Sequence, residues 1–402
     1  MQLPTPSSPL LFPDSVLTAA AHSDPYPYYA ALLSYRPIYR EARIGMWVAL
    51  GATAVRTVLE SPLCRVRPAT EPVPQAIADS SAGAVFGSLV RMNDGAKHAA
   101  MRPAVTGLVS AFDPSALTAI ARRVAAAAVG EHGCSGAGID RFARAYPVQV
   151  IAQMIGLPPE TAPKAATLIG DFVRCLSPLS GPTQIEASKT AATRLLRLME
   201  DCAAQNTHGG LPMLVDRLVS LGVTQRQAAL ANLFGLMSQT YDAAAGLIGN
   251  TLLALAGDPA LRRGGAGDEA LLRRIVQEVA RHDPPVHNTR RYVAEDGIIA
   301  GQAMKQGDAI LVVLAAANRD PAVNPYPHRF DPDRAEPHCF TFGHGRHACP
   351  GERMATTLAV IGLQALLDRG VPFEQFAAAP RYAASVNSRI PIFGAPVFGA
   401  PS

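Results

Sequence analysis

Phe342-Gly343-His344-Gly345-Arg346-His347-Ala348-Cys349-Pro350-Gly351 is the stretch on which the reading of this chain turns. It holds three glycines, two histidines and one cysteine, immediately before Glu352-Arg353-Met354-Ala355 and an apolar run that reads as a helix. Glycines let a loop adopt backbone conformations closed to other residues and approach a flat ligand closely. Cys349 stands at the helix start, where the dipole and unpaired N–H groups favour a thiolate. A thiolate on a rigid glycine loop is a ligand for a soft or borderline metal centre.

The bulk composition narrows what surrounds that loop. The chain has 402 residues, is 49% hydrophobic and only 17% charged, which supports a large core and carries no disorder signature. A formal charge of +4, with aromatics not interleaved among basic runs, argues against nucleic-acid binding. Cys64, Cys134, Cys175, Cys202, Cys339 and Cys349 show no framework of short spacings, so a reducing compartment without structural disulfides is expected. Met1 to Pro13 has no basic start and reads as no signal peptide. The longest apolar segment, Ala228 to Ala256, is interrupted by Asn232, Gln239, Asp242 and Asn250. That density of polar residues predicts a helix buried in protein, no membrane anchor and a cytoplasmic location.

Taken in order, the chain predicts a short helix, a hairpin around Trp47 to Leu50 and a second helix from Ala52 to Leu59. A long loop follows from Arg65 to Ser88, with one short helix in it. His98 and Arg102 lie one turn apart on the next helix, either as an exposed polar stripe or as a clamp on an anion. Pro114 to Leu221 is helical, broken near Gly130 to Gly138, Leu157 to Pro159, Ser177 to Pro182 and His208 to Gly210. Thr224 with Gln227 resembles a capping box opening the long helix, and Gly257-Asp258-Pro259 closes it. Midway lies Ser238-Gln239-Thr240-Tyr241-Asp242-Ala243-Ala244, polar groups that line a cavity or bond within the core. Glu269 to His282 is a helix carrying Glu278 and Arg281 at a spacing that is ordinarily a surface bridge. Short strands from Tyr292 to Val313, an irregular stretch from Ala315 to Phe340, a helix to Gly370 and a closing hairpin from Val386 to Val397 complete the chain.

Two readings compete for the cysteine loop. His338, Cys339, His344, His347 and Cys349 could supply four ligands to zinc, although their spacing follows no usual knuckle. A single axial thiolate to haem iron is the other, with the glycines letting the loop lie flat, a histidine able to reach a propionate and Phe342 packed beneath the ring. Phe342-Gly343-x-Gly345-x-His347-x-Cys349-x-Gly351 resembles the haem-binding loop of bacterial cytochromes P450. Glu278-Val279-Ala280-Arg281 resembles the buried Glu-x-x-Arg pair of that family, with Arg319 or Arg334 as third member. His98, Arg102 and Arg291 resemble its haem-propionate contacts, and the likeness runs from Asp24-Pro25-Tyr26 to the final hairpin.

The resemblance implies a mainly α fold with small β-sheets, one domain over residues 1–402, and haem b between the long central helix and the cysteine-loop helix. It implies Cys349 as metal ligand and electrons from a ferredoxin and a ferredoxin reductase. Aligned on Leu247-Ile248-Gly249-Asn250, the long helix puts Asp242 at the family's acid and Ala243 where it carries an alcohol. Gln239 and Thr240 stand where small residues are usual. The missing hydroxyl leaves three accounts: the substrate or a water supplies it, Gln239 or Thr240 takes over, or the enzyme couples its substrate without inserting oxygen. A haem gas sensor or carrier is a fourth. By the same analogy Phe86, Met92, Gln239, His287, Asn288 and Ile390 line the substrate pocket. Its polarity points to a small secondary metabolite, amino-acid- or peptide-derived, unless His287 and Asn288 satisfy backbone instead.

Overall fold

Why the chain folds around one long helix follows from where its apolar residues fall. The computed structural model describes residues 12–132, 134–205, 210–223, 225–376 and 380–394. Its N-terminal part runs α1 (Tyr26–Tyr35), β1 (Ile38–Glu41), β2 (Met46–Ala49), α2 (Ala52–Glu60), β3 (Cys64–Arg65), α3 (Ser81–Ser88) and α4 (Gly95–Ser110). The helical middle is α5 (Pro114–His132), α6 (Gly136–Met154), α7 (Ala162–Phe172), α8 (Pro182–Gln205), α9 (Leu211–Ser220), α10 (Arg226–Gly257), α11 (Pro259–Gly267) and α12 (Glu269–His282). The last part is β4 (Asn288–Val293), β5 (Gly297–Ile299), β6 (Gln302–Met304), β7 (Ala309–Val313), α13 (Leu314–Ala317), α14 (Glu352–Asp368), β8 (Arg381–Tyr382) and β9 (Pro391–Ile392). The fold is mainly α with small sheets, as the sequence predicts.

Helix α10 has 32 residues and so spans about 48 Å. It is apolar almost all round and is buried on most of its circumference, which is what such a pattern dictates. The expected capping box falls on Thr224, outside the described residues. Among the described residues no single helix is long and apolar enough to cross a membrane. Around α10 pack α6, α7, α12 and α14, and Tyr146 of α6 donates to the Leu358 carbonyl of α14 at 3.0 Å. The main core therefore lies along the long helix, with α14 carrying the cysteine loop at its own start.

Helix α12 keeps the bounds expected from its pattern. Asp268 caps it, accepting from Ala270 N and Leu271 N, and Leu272, Ile275, Val276 and Val279 are buried. Pro284-Pro285 then stops it and turns the chain into β4. Five strands form one sheet in the order β1-β2-β7-β4-β3, in which β2 runs parallel to β7 and the other pairs are antiparallel.

The closing hairpin differs from expectation. It pairs Arg381 with Ile392 and Tyr382 with Pro391, so only its second strand falls within the expected Val386 to Val397, of which residues 395–397 lie outside the described residues. Asp140 of α6 accepts from Phe393 N and Gly394 N, both at 3.0 Å, and so takes the donors that would continue the second strand.

Candidate active site

The geometry of the cysteine loop begins with the irregular stretch before it. Arg281 and Glu278 are both buried, with Nε to Oε2 at 2.8 Å and an Nη to Oε1 at 2.6 Å. This is not a surface bridge. Arg281 also donates to the carbonyls of Asn318, Pro327 and Arg329, while Glu278 accepts from Asp331 N at 2.9 Å. Arg334 is the third member, its Nε 3.7 Å from Glu278 Oε1; Arg319 instead turns to His282 and lies over the Tyr26 ring. Asn318 accepts from Phe340 N and donates to Thr341 Oγ1, which delivers the chain to the loop in a fixed register.

Gly343 and Gly345 then take φ of +74° and +67°, the left-handed region that a side chain disfavours. Cys349 N donates to the Phe342 carbonyl at 2.7 Å and closes the loop. Arg346 donates to carbonyls of Glu60, Ser61 and Cys64, and His344 contacts Glu60, so the loop is tied to the end of α2. The Cys349 side chain is accessible, and Gly351 N donates to its sulfur at 3.4 Å. Surrounding protein pushes the thiol upward, against the expectation of a favoured thiolate; the Gly351 N–H and Arg102 oppose that push.

Four nitrogen-bearing side chains gather beside this loop. The His98 and His347 rings lie 4.3 Å apart, and Arg102 donates to the Ala348 carbonyl next to the cysteine. Arg291 is buried and feels Asp94 and Arg346. Three donor-capable atoms here, His98 Nε2, His347 Nδ1 and Arg291 Nε, are shut off from solvent without a hydrogen-bond partner. Burial first, then His347 and Arg102, pull His98 down to about 4. Sequence reasoning missed Asp94, which organises the cluster. Its Oδ1 meets His347 Nε2 at 3.0 Å, and its Oδ2 accepts from Val66 N at 2.7 Å. Burial works against its charge, yet those bonds hold the carboxyl below its usual range. Its place four residues before His98, at a helix start, was the available signal.

The polar run on α10 is largely satisfied by its own helix. Ser238 and Gln239 both donate to the Gly235 carbonyl and Thr240 to that of Leu236. Gln239 is nonetheless exposed and stands one turn from Ala243. Burial raises the Asp242 carboxyl, opposed by Arg144 of α6. Phe86 and Ile390 are buried, Met92 partly so, and the Arg67 guanidinium lies 5.2 Å over the Phe86 ring.

His287 Nδ1 and the Asn288 amide are engaged within the protein, while His287 Nε2 is left without a partner. His287 is fully buried, with Nδ1 3.0 Å from the Tyr29 hydroxyl and its ring beside Tyr26. The Asn288 amide donates to the Val386 carbonyl at 2.8 Å. Nor do His344 and His347 converge with Cys349 on a tetrahedron. Among the described residues no three His, Cys, Asp or Glu side chains are placed to hold a metal ion.

Comparison with known proteins decides what the loop serves. A family model described as Cytochrome P450 matches residues 270–369, which span the Glu278–Arg281 pair and the cysteine loop. Over 376 residues the chain is 26% identical to cytochrome P450 monooxygenase PikC of Streptomyces venezuelae, covering 91% of this chain and 88% of that one. The chain belongs to the bacterial cytochrome P450 family. It is likewise 26% identical over 304 residues to 6-deoxyerythronolide B hydroxylase of Saccharopolyspora erythraea, covering 71% of each chain. The P450 fold is shared with P450BioI in complex with an acyl carrier protein, at a TM-score of 0.77, 22% identity and coverage of 91% and 96%. It is shared with CalO2 too, at 0.78, 21% identity and coverage of 94% and 96%.

The protein is accordingly a cytochrome P450 monooxygenase with a haem-thiolate centre, of the bacterial kind found in secondary metabolite biosynthesis. Such enzymes oxidise small molecules with electrons from redox partner proteins. The gas-sensor alternative is set aside. Haem fits the residues present: partnerless buried donors suit its carboxylates, and an accessible cysteine sulfur on a glycine loop suits its iron.

Proposed function

We propose that Cys349 would ligate the iron of haem b as a thiolate and that His98, Arg102, Arg291 and His347 would hold its propionates, within one domain of residues 1–402. What supports this is the convergence of the buried, partnerless His98 Nε2, His347 Nδ1 and Arg291 Nε beside the accessible Cys349. Bound there, haem supplies activation of O2 by two electrons, which a cytoplasmic ferredoxin and its reductase deliver. Phe342, Gly343, Gly345 and Gly351 shape the loop against it.

The chain's own residues manage the protons. Asp242, raised by burial, is suited to pass a proton from the Arg144 side toward the space beside Ala243. Ala243 offers no hydroxyl to receive it. Thr240 spends its own on the Leu236 carbonyl, so Gln239 is the accessible polar group one turn away. Gln239 therefore positions a hydroxyl brought by the substrate, or a water, in the space beside Ala243. With His287 Nδ1 and the Asn288 amide engaged within the protein, the substrate is a small secondary metabolite that carries its own donor, and it need not be peptide-derived. Ala243 also favours a second reading, oxidative coupling without oxygen insertion, in which no hydroxyl is needed. Labelled dioxygen separates the two, because a coupled product carries no label.

Reconstitution with a bacterial ferredoxin and its reductase tests the proton path. Without substrate, the wild type should return most NADH electrons as hydrogen peroxide, and Ala243→Thr should cut that share several-fold. Asp242→Asn should slow NADH oxidation. Equal peroxide shares in wild type and Ala243→Thr would remove position 243 from the path.

A further inference from the structure

Arg91 is a half-buried cation that nothing in the haem site uses. It sits on a single 3-10 turn, Val90–Met92, between α3 and α4. Its Nε is shut off from solvent without a hydrogen-bond partner. Burial alone pulls its guanidinium down to about 10, with no neighbouring charge contributing, so it remains a cation at neutral pH. His98 and Arg291 differ in this: each feels Asp94 and Arg346. Arg91 thus shares neither charge partner of the cluster proposed to hold the propionates.

Where the side chain ends is constrained by its surroundings. Leu89 and Val90 before it are buried, and part of the Arg91 side chain is accessible although protein encloses it. The accessible part therefore faces interior space. The turn is fastened to α10 by Asn232, whose Oδ1 accepts from Val90 N and whose amide donates to the Ser88 carbonyl, both at 2.9 Å. One turn on, a methyl built on Gly235 would lie 2.5 Å from Leu89 Cδ2 and 3.3 Å from Gln239 Nε2. The backbone that carries Arg91 is thus packed against the segment of α10 that leads to Gln239 and Ala243.

A guanidinium with no acidic partner presents a planar fork of donors that suits a carboxylate. We propose that Arg91 binds an anionic group of the substrate, a carboxylate held by charge-assisted hydrogen bonds in the wall of the distal pocket. The proposal rests on the haem-thiolate reading, which makes this interior space the substrate pocket. A haem propionate offers the same chemistry, and the absence of the cluster's charge partners around Arg91 favours the substrate as its source.

Probes anchored on the iron test this without the natural substrate. A series of ω-(imidazol-1-yl)alkanoic acids of increasing length and their methyl esters is titrated into the purified ferric holoenzyme, following the Soret band. The wild type should bind at least one acid about tenfold more tightly than its ester, the scale of a charge-assisted contact. Arg91→Leu should abolish that preference while n-butylimidazole binds unchanged, and Arg91→Lys should keep part of it. No acid preference at any length in the wild type, or a preference that survives in Arg91→Leu, overturns the proposal. So does faster transfer of haem to apomyoglobin from Arg91→Leu, which would give Arg91 to a propionate. If the holoenzyme lacks the carbon-monoxide spectrum of a haem-thiolate, the underlying reading fails first.

Discussion

At the scale of single residues, Arg281 shows how much one side chain holds. Its guanidinium reaches both Glu278 oxygens and three carbonyls, those of Asn318, Pro327 and Arg329, without touching solvent. Lysine keeps the charge and loses the planar fork, so Arg281→Lys would strand buried acceptors and part of Glu278. Breaking a buried pair of this kind costs about 3–5 kcal/mol. The variant should purify with much less haem and unfold at lower urea; an unchanged haem-to-protein ratio would show that the pair is dispensable. Cys349 and the spacing of Glu278 and Arg281 were legible in the sequence because each lies in a short local pattern. Whether that pair was buried was not, since its carbonyl partners lie in an aperiodic stretch. The bonds that engage His287 and Asn288 were hidden for a related reason. Their partners, the Tyr29 hydroxyl and the Val386 carbonyl, are 258 and 98 residues away, and composition cannot show such a bond.

At the scale of elements, the helices with strong apolar periods were readable and the segments between them were not. Helix α12 runs over the expected Glu269–His282, and α10 ends at the expected Gly257. The α3–α4 connection has no period of its own. It is held by Asn232, which as sequence is only a polar break in an apolar run. The register of β8 and β9 is likewise set from outside, by Asp140 of α6. Asn232→Leu keeps the apolar contacts of α10 but leaves Val90 N–H and the Ser88 carbonyl unpaired inside the protein. Unpaired groups of this kind cost about 1–3 kcal/mol. Hydrogen exchange should therefore quicken about tenfold or more across residues 86–93, while α12 and α14 keep their protection. Uniform quickening throughout the chain would instead mean that Asn232 serves global stability. Loosening confined to that connection should also weaken the acid preference of the imidazolyl probes, since Arg91 rides on it.

Across the whole molecule, the N-terminal helix, the end of α12 and the C-terminal hairpin meet in one ionic cluster, and that cluster contributes much of the fold's pH dependence. Asp283 pairs with Arg389 at 2.7 Å, and Tyr26 donates to Asp283. Arg389 in turn donates to carbonyls of Ala20, His22 and Ser23, tying both chain ends together. Two histidines lie within it. His282 shares Nδ1 with an Arg319 donor at 2.9 Å and meets the His328 carbonyl through Nε2 at 3.0 Å, so the neutral ring fits and the charged ring opposes Arg319. Burial first, then Arg319, lower His282 to about 3; burial first, then Arg389, do the same for His287. Unfolded, each would titrate near its ordinary value of about 6.5. Between those values the unfolded chain binds more protons, so stability present above about pH 6.5 is lost as pH falls toward 3. Each histidine contributes up to about 1.4 kcal/mol per pH unit, so moving from pH 7.5 to 5.5 should cost roughly 3 kcal/mol from the pair. Asp283 acts in a lower window. Burial opposes its charge but Arg389 and Tyr26 hold its carboxyl below the usual range, so its contribution fades only below about pH 4. Urea midpoints measured across pH 5 to 8 should therefore fall steadily below pH 6.5. The double variant His282→Asn/His287→Gln should flatten that fall, and a midpoint that stays level in the wild type would show that neither ring is held neutral.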